Sequence, residues 1–156
     1  MTEASLGAIP DVQVRDLHLV PNERGHLLEI ARNDDDWFPG FGQVYATSTE
    51  PGIIKGWYRH THQADTLTLV SGHIRLVLFD DRPGSTSRGV TQTVEMGLDR
   101  PCLVVIPALI WHGFQNTGVT PALIVHVNSV PFDVAEPDEE RRDVDDPSMP
   151  NCWIGR

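Results

Sequence analysis

With 156 residues, 40% of them hydrophobic, the chain is long enough for one domain with a sizeable core and leaves little room for two. Its 22 acidic against 12 basic residues give a formal charge of −10, the opposite of the basic footprint that nucleic acid demands. No apolar run approaches the roughly 20 residues of a membrane helix.

In chain order, short segments rich in Val, Ile, Leu and Thr recur between turn signals, and helical periodicity is nearly absent. This pattern predicts strands over 12–20, 26–31, 41–47, 53–61, 66–71, 73–79, 89–95, 102–106 and 122–129. Asp34-Asp35-Asp36 reads as a solvated turn, Ser71-Gly72 as a tight hairpin, and Asp80 to Gly84 as a broader turn followed by a solvated loop, 85–88. The 13 glycines and 12 prolines are scattered, as many turns require. Eight acids lie between Asp133 and Asp146 beside only Arg141 and Arg142, so most of the negative charge belongs to the C-terminal segment. That segment is expected to wrap the outside as irregular structure or one short helix near 137–142. The N-terminus lacks a basic region followed by an apolar stretch, and Cys102 and Cys152 read as free thiols, so the expected location is the cytoplasm. The expected organisation is a single domain over 1–156: an N-terminal arm of about 1–30, a barrel of about 40–130 and an acidic wrap of about 131–156.

Chemistry concentrates between Gly52 and Gly72. Strand alternation places Tyr58, His60 and His62 on one face, with Lys55, the chain's single lysine, and Trp57 on the other unless a bulge intervenes. Two imidazoles and a phenol in a row each need a hydrogen-bond partner or a metal if buried; otherwise they belong to an exposed edge. Trp57 and Trp111 read first as barrel-wall packing, and His126, between Val125 and Val127, as either a pocket or an edge residue.

The spacing resembles the first cupin motif: Gly52, Tyr58, His60, Asp65 and Gly72 fall on its places, with Tyr for the first His and Asp for Glu. Pro107, Leu109, His112 and Asn116 resemble the second, with Leu109 where glycine is usual. The resemblance implies an all-β double-sheet jelly-roll barrel, the cupin double-stranded β-helix, with its functional residues at the mouth. Within the cupins the chain is similar to the dTDP-4-dehydrorhamnose 3,5-epimerases over about 15–147, through Asn22-Glu23-Arg24-Gly25, Leu28-Glu29, Gln43 to Ser48, Lys55-Gly56-Trp57-Tyr58 and Ile106-Pro107 to His112-Gly113-Phe114. It also resembles the sugar 3,4-ketoisomerases, through the places of Tyr58 and His60 and through Ile110-Trp111-His112. These families imply a homodimer whose opening strand reaches the partner's barrel, so that Arg24 and Glu29 become contacts to a nucleotide-sugar held across the interface.

Tyr58 stands where the epimerases have their histidine base, Asp65 where they have a lysine, and Val125 where they have a tyrosine. An unperturbed phenol, with a pKa near 10, is a poor base at neutral pH. The leading expectation is therefore an isomerase or epimerase that moves a proton beside the ketone of a nucleotide-linked 4-keto-6-deoxy sugar. Tyr58, His60 and His112 are its catalytic candidates, and Arg24, Glu29, Gln43, Lys55, His62 and Trp111 its substrate-binding candidates. The alternative is a metal-dependent cupin, an oxygenase or cyclase, holding one Fe, Mn, Ni or Zn ion on His60, Asp65 and His112. A further alternative is a sugar-binding cupin without turnover. In each case the partner is a small molecule, with neither nucleic acid nor membrane involved.

Overall fold

The computed structural model describes residues 5–6 and 8–156. Its strands are β1 (Ser5–Leu6), β2 (Gln13–Asp16), β3 (Leu19–Asn22), β4 (Gly25–Leu28), β5 (Gln43–Thr49), β6 (Ile54–Arg59) and β7 (Asp65–Ser71). They continue as β8 (His73–Phe79), β9 (Thr91–Gly97), β10 (Cys102–Ile106), β11 (Trp111–Asn116), β12 (Ala122–Asn128) and β13 (Glu140–Arg141). Two antiparallel sheets face each other, ordered β1-β2-β10-β7-β12-β5 and β13-β6-β11-β8-β9, while β3 and β4 form a separate hairpin. This is the jelly roll expected from the paired motifs. The presumed arm of 1–30 divides: β2 joins the first sheet beside β10, with Ile9 and Val12 in the core, and the β3–β4 hairpin stands apart. No helix among the described residues is long and apolar enough to cross a membrane.

Alternation builds the interior. Leu67 and Leu69 of β7, Ile74, Leu76 and Leu78 of β8, Val104 and Ile106 of β10 and Ile124 of β12 form the main cluster. The opposite face of the second sheet is covered too: Trp57, Val77 and Trp111 pack against Met149 and Trp153 of the C-terminal segment. Strand β11, absent from the sequence reading, is therefore buried on both faces. Its sequence, Trp-His-Gly-Phe-Gln-Asn, lacks both aliphatic alternation and β-branched residues, so it carries no strand signature.

Two turns differ from expectation. Ser71-Gly72 is a corner and not a hairpin: β7 pairs with β10 and β12, whereas β8 pairs with β11 and β9. Gly72 turns this corner at φ 87, and a Cβ there would lie 2.8 Å from Ala122 Cα. The C-terminal segment forms no helix near 137–142; Glu140 and Arg141 instead add a strand beside Arg59 and Tyr58. The turn after Asp80 is as expected and is closed by that carboxylate, which accepts bonds from Arg82, Ser85 and Ser87. Burial opposes ionisation of Asp80, but these donors outweigh it and hold the carboxyl below its usual range.

Strand β6 carries an extra residue. His112 faces Tyr58 while Phe114 faces Lys55, so two residues of β11 span three of β6. Gly56 and Gly113 meet at this irregularity: a Cβ on Gly113 would lie 3.0 Å from both Gly56 Cα and the Lys55 carbonyl oxygen. Gly113→Ala must therefore push β6 and β11 apart, with an expected cost of about 1–3 kcal/mol. Urea denaturation of the variant against the parent chain measures it, and an unchanged midpoint would show that the two strands have room to give.

Candidate active site

The open end of the barrel holds a cavity of about 320 Å³. β6 contributes Lys55 and Tyr58 to it, the residue after β6 is His60, and β11 contributes His112 and Phe114. From the other sheet come Tyr45 and Thr47 of β5, Asp65 of β7 and His126 of β12, and the C-terminal segment adds Glu139 and Arg141.

The extra residue in β6 corrects the expected parity. Without it Lys55 would point away from Tyr58; with it both enter one cavity, and Lys55 Nζ donates to the Ser48 carbonyl at 2.6 Å. His62 does not join them, because β6 ends at Arg59 and the chain turns outward; His62 is exposed and outside the cavity. Trp111 is also excluded. It is buried in the outer cluster, its Nε1–H donates to Asp81 at 3.0 Å, and the guanidinium groups of Arg59 and Arg142 lie over its ring. Gln43 lines an adjoining groove with Phe132, whose backbone N–H donates to its Oε1 at 2.9 Å. Arg24 and Glu29 are exposed and line no part of their own chain's cavity. Val125 is on the outer side of β12, and the residue of that strand facing inward is His126. The residue at the epimerases' tyrosine place is thus outside the cavity.

A hydrogen-bonded row crosses the floor. Asp65 is buried, with His126 Nδ1–H donating to Oδ1 at 3.2 Å and His112 Nε2 lying 3.4 Å from Oδ2. Beyond His126, its Nε2 accepts from Thr47 Oγ1 at 3.3 Å, and Tyr45 stacks on the ring with centroids 4.5 Å apart. Burial opposes the charge on Asp65, but the two imidazoles outweigh it and hold the carboxyl well below the usual range. Tyr45 moves the other way: burial, then the Asp65 charge, pushes its phenol up, so it remains neutral.

His60 and His112 stand with ring centroids 5.5 Å apart. Each has Nδ1 on a backbone carbonyl: His60 on Asp138 at 2.6 Å, His112 on Ile110 at 3.0 Å. A carbonyl only accepts, so each Nδ1 carries the hydrogen and each Nε2 is left for the cavity side. Nε2 of His112 faces the Asp65 carboxylate, an arrangement satisfied by a second ring hydrogen or by a cation between the two. One donor atom each from His60, Asp65 and His112 lies within 4.8 Å of the other two, so the three residues expected as metal ligands do converge. Leu109, at the place of the motif glycine, takes φ 69 and donates its N–H to the His60 carbonyl at 2.7 Å. A left-handed leucine costs roughly 1–2 kcal/mol, so that place keeps the glycine-type backbone without glycine.

The cavity also takes in Tyr45, Thr47, Phe114, Glu139 and Arg141, none of them a site candidate from sequence, and His126, which sequence left between pocket and edge. For His126 a signal existed, since it shares parity with Ile124, a core residue of β12. Glu139 and Arg141 had none, because long-range pairing of β13 with β6 brings them in. The acidic wrap is thus in part a cavity wall: Arg141 Nε donates to Glu139 at 2.5 Å, and its guanidinium lies 5.5 Å from the centre of the Tyr58 ring.

Residues 20–140 match the family described as the polysaccharide biosynthesis C-terminal domain. The spore coat polysaccharide biosynthesis protein SpsL of Bacillus subtilis (strain 168) is 33% identical over 145 residues, covering 93% of this chain and 96% of its own. The probable low-salt glycan biosynthesis epimerase Agl13 of Haloferax volcanii is 35% identical over 147 residues, covering 93% and 94%. Among solved structures, a dTDP sugar isomerase from Desulfovibrio desulfuricans G20 aligns with a TM-score of 0.92 at 32% identity over 98% of this chain and 97% of its own. The expected likeness to dTDP-4-dehydrorhamnose 3,5-epimerases extends through the fold.

Proposed function

As a chain that belongs to the polysaccharide biosynthesis C-terminal domain family, this protein acts, we propose, as an isomerase or epimerase of carbohydrate biosynthesis on a dTDP-linked 4-keto-6-deoxy sugar. The observation that carries the reading is the convergence of a base, two phenols and two cations in one cavity: His60, Tyr58 and Tyr45, Lys55 and Arg141. His60 Nε2 takes the proton from the carbon beside the ketone. The enolate oxygen that develops needs a donor, and the neutral Tyr45 or the Tyr58 hydroxyl supplies it. Lys55 and Arg141 offset the charge of the diphosphate. Return of the proton to the other face of the same carbon gives an epimer, and return to the neighbouring carbon of the enediol gives a ketoisomer.

The assembly we infer is a homodimer. Phe41 and Val44 are exposed apolar residues at the edge strand β5, Leu27 is another on the β3–β4 hairpin, and dimerisation would bring Arg24 and Glu29 towards the partner's cavity. The two free thiols suit a reducing compartment such as the cytoplasm.

A second reading has its own support. His60, Asp65 and His112 form a donor set suited to Fe, Mn, Ni or Zn, and both imidazoles have their Nδ1 on a carbonyl, the usual outer support of a metal ligand. A bound ion would polarise the sugar ketone as a Lewis acid.

Incubation with dTDP-4-keto-6-deoxyglucose in deuterated water tests both. Deuterium at carbon next to the ketone, by protein carrying metal far below one equivalent, is the expected result. Exchange that needs near one equivalent of divalent metal would establish the second reading. Tight binding without exchange would identify a sugar-binding protein and overturn both.

A further inference from the structure

Resting on the reading of His60 as the base, we propose that Asp138 is a positioning residue that selects which nitrogen of His60 is presented to the substrate. His60 is buried just beyond the end of β6 and is followed by exposed Thr61 and His62 and buried Gln63, a loop with no strand pairing of its own to hold the ring. Asp138 holds both the loop and the ring. Its carboxylate accepts the successive backbone N–H groups of Thr61, His62 and Gln63 at 2.8, 2.9 and 3.0 Å. Its carbonyl accepts His60 Nδ1–H at 2.6 Å. An imidazole in water exchanges its hydrogen between the two nitrogens, and the partner of one decides the state of the other. Here the carbonyl fixes the hydrogen on Nδ1 and leaves the lone pair on Nε2; the Gln63 side-chain amide, 3.2 Å from the same Nδ1, then turns its otherwise unpartnered oxygen towards that hydrogen.

Asp138 is itself delivered from a distance. Arg142 and Trp57 exchange backbone hydrogen bonds at 2.9 and 3.0 Å, β13 pairs with β6, and Trp153 packs on Trp57 with ring centroids 5.0 Å apart. The C-terminal segment therefore acts as a strap from the outer tryptophan cluster to the base. This role is separate from proton transfer, because Asp138 touches no reacting atom.

The test is nitrogen-15 NMR of the histidine rings in the full chain at about pH 8, where unpaired imidazoles are neutral. In the parent chain His60 should show a protonated Nδ1 and an unprotonated Nε2. Asp138→Ala keeps the backbone carbonyl but removes the carboxylate that pins Thr61, His62 and Gln63, so carbonyl and ring should lose their register, the ring pass to a mixture of both forms and kcat fall about tenfold or more, with KM changed by less than about twofold. Asp138→Asn keeps an acceptor oxygen for the loop and should restore most of both signals. A hydrogen on Nε2 in the parent chain, or an unchanged ring in Asp138→Ala, would overturn the proposal. If neither variant folds, the parent spectrum alone decides it. Failure of the functional reading is seen separately: the expected ring state with no deuterium exchange would remove the isomerase and leave the positioning intact.

Discussion

His60→Ala is expected to lower turnover by about 10²–10⁴-fold while the protein still unfolds in one cooperative step. The size follows from removing the group proposed as general base: neither Tyr45, a phenol held neutral, nor the imidazole of His126, with hydrogen-bond partners on both nitrogens, is placed to substitute. The fold should survive because His60 lies outside both apolar clusters and the loop stays pinned by Asp138. Single-turnover deuterium exchange with the variant measures the effect directly. Exchange at the parent rate would move the base elsewhere in the cavity, with His112 the next residue to vary.

Asp65→Asn should cost about 3 kcal/mol of stability at neutral pH, the lower end of what is lost when one member of a buried ionic group is removed. The variant keeps the shape but sets an amide between two imidazoles where a carboxylate held both. The pH dependence has a definite sign. The folded pKa of Asp65 lies below its unfolded value near 3.9, so the folded state binds fewer protons. Its contribution is complete above the unfolded pKa and shrinks as pH falls through that value towards the folded one. Urea midpoints at decreasing pH should therefore bring parent and variant together below about pH 4. Asp80 and Asp138 are also held low, so the parent curve alone is a composite and the difference between the two proteins isolates Asp65. A gap that stays constant to pH 2 would mean that folding leaves the Asp65 pKa unshifted, and a gap that moves in the parent's favour as pH falls would mean a carboxyl that stays protonated in the folded chain.

The fold was legible where strands bury one apolar set by alternation, as in β7, β8, β10 and β12, and where the motif spacing fixed His60, Asp65 and His112 near one another. Strand β11 escaped because it is covered on both faces by unlike partners, a leucine-rich core within and a tryptophan cluster outside. The side of Lys55 escaped for a different reason: counting by two fails across one inserted residue, and nothing at Gly56-Trp57 announces the insertion except a glycine that the partner strand's own glycine requires. The exclusion of His62 follows from where β6 ends, a boundary set by the acceptor that gathers the next three N–H groups. That acceptor lies 75 or more positions later in the chain. Local pattern carries no trace of such a partner, which is why the acidic segment reads from sequence only as a wrap.

The row of groups on the cavity floor is assembled from both sheets, with His112 on one and Asp65, His126 and Tyr45 on the other. The gap across which His112 meets Asp65 is therefore also the local spacing between the two layers of the sandwich. Chemistry and architecture share a single mechanical coordinate. A methyl group added to or removed from the leucines between the layers, well away from any ligand, alters the distance between an imidazole and its counter-charge. Such a protein is tuned through its packing, and its interior residues are as much a part of its reactivity as the side chains that touch the sugar.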